Sequence, residues 1–80
     1  MSDAEMACRS IFQAIRERSA ECDLEVRIPD EGMCEDAWSY DKEALDTVCL
    51  PFLRSVPCET GMSPDESKAH CAAAVAMKWW

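Results

Sequence analysis

The sequence predicts an all-α fold: a single domain over residues 1–80, built as three helices stapled by three disulfides, with an acidic connecting loop. Three observations carry this. Six cysteines stand in 80 residues, an even number with no close pair among them. Apolar residues recur at helical spacing in two long stretches, and a helix-start signature opens a third. Ten acids against two bases (Arg27 and Lys42) lie in the segment 21–46, which holds the whole net charge of −8.

A chain this short buries a limited fraction of its surface and needs a covalent or metal staple. The cysteines Cys8, Cys22, Cys34, Cys49, Cys58 and Cys71 are expected to supply it as disulfides, in an oxidising compartment. Each bridge would contribute about 2–4 kcal/mol, mainly by restricting the unfolded chain. The gaps between them are 13, 11, 14, 8 and 12 residues. Zinc and iron–sulfur sites favour C-x-x-C pairs, so no metal site and no cofactor are expected. His70 beside Cys71 does not change this, because helix neighbours point in different directions.

The first helix starts at Ser2-Asp-Ala-Glu5, a capping box in which each side chain bonds the other's amide. Ala4, Ala7, Cys8, Ile11, Phe12 and Ile15 then line one face of a helix over 3–20, with Cys8 pointing inward. A helix running through both Cys8 and Cys22 would hold them about 21 Å apart. Disulfide Cα atoms lie within about 7 Å, so that pairing is not expected. The acidic connector spans 21–38. Leu24, Val26 and Ile28 alternate with polar residues, and Pro29-Asp-Glu-Gly32 reads as a turn. One extended piece without a partner makes no sheet, so an ordered loop is expected, closed by Cys22–Cys34. Cys8, Cys49, Cys58 and Cys71 would share the other two bridges in an order the sequence leaves open. An EF-hand is rejected because Asp30, Glu31, Glu35 and Asp36 lack its alternate-acid spacing.

Ser39 or Asp41 caps the second helix. Its apolar face is Ala44, Leu45, Val48, Cys49, Phe52, Leu53 and Val56. Pro51 interrupts it, so the helix kinks there or restarts with Pro51 in its first turn, and Pro57 ends it. Ser63-Pro-Asp-Glu66 is a second capping box with Pro64 at the favoured first position. It opens a third helix over 64–78, with Cys71, Ala74, Val75 and Lys78 on one face. Trp79 and Trp80 would close the core or anchor a partner. Trp38 and Tyr40 are weaker candidates for the same contact, since tryptophan and tyrosine are enriched at binding hot spots.

Several function classes fall away. Phosphate binding needs a basic stripe, so nucleic acid is not an expected partner. No apolar run approaches the roughly 18 residues of a membrane span. With only Gly32 and Gly61 there is no phosphate-cradling loop. A nucleophile machine would have to use His70 beside an oxidised cysteine, and a disulfide sulfur is no standing nucleophile, so His70 is expected as an exposed helical residue. Met1, Met6, Met33, Met62 and Met77 are scattered and form no copper cluster. No enzymatic activity is expected. The expected partner is another protein, and a basic surface would suit the acidic segment.

Cys49-Leu-Pro-Phe-Leu-Arg-Ser-Val-Pro-Cys58, followed by Pro64 and Cys71 and preceded by Tyr40-Asp41, resembles the C-terminal portion of small exported bacterial cysteine-rich helical proteins. Many of those are lipoproteins of unknown function. The likeness rests mostly on cysteine spacing and covers less than half of the chain; Pro51 in mid-helix departs from it. It implies export and a helical disulfide fold, and no activity. The chain is also similar to acidic multi-cysteine subunits of mitochondrial respiratory complexes facing the intermembrane space. The 13-residue gap between Cys8 and Cys22 carries that second likeness, while the 12-residue gap from Cys58 to Cys71 and the absent twin nine-residue pattern depart from it.

The expected function is therefore a non-enzymatic, exported binding or interaction protein, secreted or periplasmic. An accessory subunit in the intermembrane space and a secreted signalling or toxin-like protein are the alternatives. The polar Met1–Glu5 start is followed by no secretory h-region, so a mature form or a leaderless route is expected.

Overall fold

The computed structural model describes residues 2–24, 31–61 and 64–77. Helix α1 spans Asp3–Cys22. The Ser2 hydroxyl accepts the Glu5 amide at 3.1 Å, the first half of the expected capping box. The second half is replaced: the Glu5 carboxylate turns forward to Arg9, at 3.4 Å. Ala4, Ala7, Cys8, Ile11 and Phe12 are buried along one face, as the periodicity predicts. The helix stops where Asp23 adopts a left-handed conformation, φ 54° and ψ 44°. The Asp23 amide bonds Ala20 O and the Leu24 amide bonds Ser19 O, so a Schellman motif closes the helix with aspartate in place of the usual glycine.

A 3₁₀ turn, Glu31–Asp36, packs against α1 and buries Cys34. Strand β1 follows at Ser39–Tyr40. Asp41 then caps the second helical body, its Oδ1 accepting the Glu43 and Ala44 amides at 3.0 and 3.2 Å. That body is continuous but not uniform. It begins as α2 (Lys42–Ala44), widens to a π turn (Leu45–Cys49) and returns as α3 (Leu50–Ser55). The Leu50 amide bonds Leu45 O, five residues back. Pro51 follows, in the first turn of α3. A proline lacks the amide for an α-helical bond and its ring crowds the carbonyl four residues earlier. Widening the turn just before it relieves that crowding without breaking the rod.

The π turn also corrects the predicted apolar face. Each residue in a wider turn advances by less than the α-helical 100°. Cys49, four residues after Leu45, therefore falls closer to the core-facing line, and Val48, three after it, falls further away. Leu45, Cys49, Leu53 and Val56 are buried, whereas Val48 is 46% exposed. Val56 leaves the helix with ψ 125°. Pro57 disfavours the helical region for the residue before it, so α3 ends there.

Helix α4 spans Pro64–Cys71, and the predicted third helix stops seven residues short of 78. The Ala74 amide turns back to Cys71 O, and Val75–Ala76 form strand β2. Strands β1 and β2 pair antiparallel, with Ser39 opposite Ala76 and Tyr40 opposite Val75. The ladder is extended by Trp38 N–H to Ala76 O at 3.0 Å and Asp41 N–H to Ala74 O at 2.8 Å. The fold is thus mostly helical with a small two-stranded sheet, rather than all-α. The alanine run favours helix intrinsically, but the ladder and the burial of Ala74, Val75 and Met77 outweigh that propensity.

One core lies between α1 and the remaining elements, and both strands, α3 and the 3₁₀ turn pack on α1. The disulfides are Cys8–Cys34, Cys22–Cys58 and Cys49–Cys71, with Cα separations of 5.4, 5.1 and 4.6 Å. The expected Cys22–Cys34 pairing is wrong. The 3₁₀ turn packs on α1 and brings Cys34 to Cys8, which lies about 21 Å from Cys22 along the helix. The 11 intervening residues can span that distance easily. Cys22 is left facing the turn after α3, where Cys58 waits. Val26, Ile28 and Pro29 of the connector, Ser63 of the second capping box, and Lys78, Trp79 and Trp80 lie outside the described residues.

Candidate interaction surface

Trp38 and Tyr40 are the two sequence-proposed contact residues that the structure describes. Trp38 is 68% exposed and Tyr40 is 39% exposed, unusual for such large side chains. They sit two apart on and beside β1, and alternate residues of a strand point the same way. Their backbone is fixed from both sides in sequence. Ala37 and Cys34 are buried just before, and the Ala37 amide bonds Cys34 O at 3.1 Å. Asp41 is bonded to Ala74 O through its amide and caps α2 through its side chain just after. The Cys8–Cys34 bridge then pins this run to α1.

Charge surrounds the aromatic pair in sequence. Glu35 and Asp36 precede it, Asp41, Glu43 and Asp46 follow, and all five are exposed. Lys42 is the one base within this run and is engaged with Asp46 at 3.1 Å. The Asp46 hydrogen bond, and then its charge, hold the Lys42 ammonium above its ordinary pKa. What the surface offers is two exposed aromatic faces on a covalently held strand, set in an acid-rich segment.

The remaining chemistry-bearing residues are placed as follows. All six cysteines are in disulfides. His70, expected as an exposed helical residue, is half-buried. Its ring lies flat on Phe52, with centroids 3.8 Å apart and planes 1° from parallel. Nδ1 sits 2.8 Å from Glu66 O, which places a proton on that nitrogen. Among the described residues no cluster of three or more His, Cys, Asp or Glu could hold a metal ion. No described helix is long and apolar enough to cross a membrane.

Sequence reasoning missed Arg18. Its Nε and Nη2 both donate to Val56 O, at 2.9 and 2.7 Å, while Nη1 pairs with Glu21 at 2.9 Å. The guanidinium fork thus satisfies a carbonyl left without an intrahelical partner at the end of α3. The one available signal was Pro57, which fixes where that carbonyl is released.

No family model matches this chain, and neither a curated protein nor a solved structure shows significant similarity to it.

Proposed function

We propose that this chain is a non-enzymatic interaction module of an oxidising, extracytoplasmic compartment, secreted or periplasmic, and that the Trp38–Tyr40 edge is its contact surface. The observation that carries the reading is the 68% exposure of Trp38 on a backbone held by the sheet ladder and by Cys8–Cys34. A tryptophan on a fixed backbone has little backbone freedom left to lose on binding and offers a large apolar face to a partner. Three disulfides fit an oxidising compartment. The resemblance of the cysteine spacing to exported bacterial proteins points the same way.

The acid-rich segment around the pair selects the partner's chemistry. A basic protein surface would place Arg or Lys over the aromatic faces and against Glu35, Asp36, Asp41 and Glu43. The test uses oxidised full-length protein, its Trp38→Ala variant, and a series of basic and acidic model peptides, read by tryptophan fluorescence and calorimetry. Salt-sensitive binding of the basic peptides, lost in Trp38→Ala with the far-ultraviolet dichroism retained, is the expected result. Equal binding by both proteins, or no preference for basic peptides, would overturn the assignment.

A further inference from the structure

The three disulfides do not share one environment. Cys8, Cys34, Cys49 and Cys71 are fully buried. Cys22, the last residue of α1, is half-buried, and Cys58 is exposed. Thiol–disulfide exchange requires a thiolate to reach one sulfur of the bridge, so access sets which bridge reacts. The two inner bridges become reachable only when the core opens, whereas Cys58 stands at the surface in the native state. It lies in the turn after α3, which is closed by Gly61 N–H to Pro57 O at 3.1 Å and by the Thr60 hydroxyl to the same oxygen at 3.3 Å.

Opening this bridge leaves the other links between these elements in place. Arg18 on α1 still grips Val56 O, two residues before Cys58, so the joint between α1 and the end of α3 keeps a non-covalent link. The other two bridges still tie the 3₁₀ turn to α1 and the π turn to α4. The residues flanking the two cysteines are acidic, and Arg18, the cation at this joint, is engaged with Glu21 and Val56 O. Glu21 and Asp23 flank Cys22 and Glu59 follows Cys58, all exposed, and of these Glu21 is shared with Arg18. Such surroundings repel an anionic thiol and admit a cationic or neutral one.

We propose that Cys22–Cys58 is a thiol-exchange site of this protein, modified by small cationic or neutral thiols in the folded state. An external thiolate attacks Cys58 Sγ and the Cys22–Cys58 S–S bond breaks. A mixed disulfide forms at Cys58, and Cys22 leaves as a thiolate that takes a proton from water. A second thiol attacking the mixed disulfide releases Cys58 as a thiol and the oxidised reagent as its disulfide.

The test is graded reduction of native, oxidised full-length protein with dithiothreitol, followed by alkylation and peptide mapping. A species alkylated at Cys22 and Cys58 alone accumulates first, about tenfold or more ahead of the other four cysteines, with its helical dichroism retained. At equal thiolate concentration, cysteamine forms the mixed disulfide faster than glutathione. The Cys22→Ser/Cys58→Ser double variant takes up no label over the same interval. Simultaneous labelling of all six cysteines, or first labelling at Cys8–Cys34 or Cys49–Cys71, would overturn the site. Glutathione matching cysteamine would overturn its thiol preference.

Discussion

Replacing Arg18 with alanine isolates the contact that closes α1 onto the end of α3. Two guanidinium nitrogens donate to one carbonyl, Val56 O, at 2.9 and 2.7 Å. A hydrogen bond from a charged donor contributes about 1.5–3 kcal/mol net. The Arg18 side chain is 22% exposed, so solvent screens part of this, and the pair together contributes about 2 kcal/mol. The third contact, to Glu21, adds little, because the Glu21 side chain is 64% exposed and such pairs are worth about 0–1 kcal/mol. In a domain of this size each kcal/mol shifts Tm by about 4–8 °C, so Arg18→Ala should lower Tm by about 8–16 °C. Arg18→Lys keeps the charge but loses the fork, and should recover only part of the loss. Thermal and urea unfolding of the oxidised proteins, followed by far-ultraviolet dichroism, measure the Tm and free-energy changes in one series with Glu21→Gln as the control. An Arg18→Ala variant within about 0.5 kcal/mol of the parent would refute the reasoning, as would a Glu21→Gln loss of equal size.

Three further outcomes follow from the local geometry. Val48→Gln should cost less than about 0.5 kcal/mol, because the π turn rotates this residue out of the core; a loss above about 2 kcal/mol in chemical denaturation would mean that a regular α-helix runs through 45–49. Gly61 has φ 69° with open space where a Cβ would stand, so Gly61→Ala should cost about 1–2 kcal/mol from backbone strain alone, and an unchanged Tm would sink that account. Lys42 should titrate above the ordinary lysine value by NMR, first through its hydrogen bond from Nζ to Asp46. The folded value is the raised one, so the pair's stabilisation is fully present below the unfolded lysine pKa of about 10.4 and vanishes as pH rises through the folded value; Asp46→Asn should bring Lys42 down, and no change would discard the pair.

Local signals in the sequence translated well where one element decided the outcome. The Ser2 cap, the Asp41 cap and the apolar stripe of α1 are short-range features, and the structure reproduces them. Signals that depend on a distant partner did not. The run Ala72–Ala76 reads as helix by propensity, yet its end becomes strand because Asp41 and Trp38, more than thirty residues earlier, offer backbone partners. The disulfide pairing failed for the same reason. Distance along α1 argued against Cys8–Cys22, but nothing local showed that the 3₁₀ turn packs on α1 with Cys34 against Cys8. Of the candidate contact residues, Trp38 and Tyr40 were named from residue type alone. Their exposure became visible only once β1 was seen to lie outside the core.

The bridges also explain how so small a domain can leave a tryptophan in water. They close separations of 26, 36 and 22 residues, each joining a different pair of structural elements. In the chain-entropy account, loops of these lengths each contribute about 3.4–3.8 kcal/mol. Three such terms are comparable with the whole net stability of an ordinary domain, about 5–15 kcal/mol. A fold restrained in that way does not need every large apolar side chain inside. Trp38 can therefore remain at the surface without threatening the structure. The loop dependence is logarithmic, so the longest closure, Cys22–Cys58, contributes hardly more than the two inner ones, and it is also the only bridge that fills no part of the buried core. Its cleavage removes one entropic restraint and touches no core residue, whereas loss of either inner bridge would also disturb buried side chains.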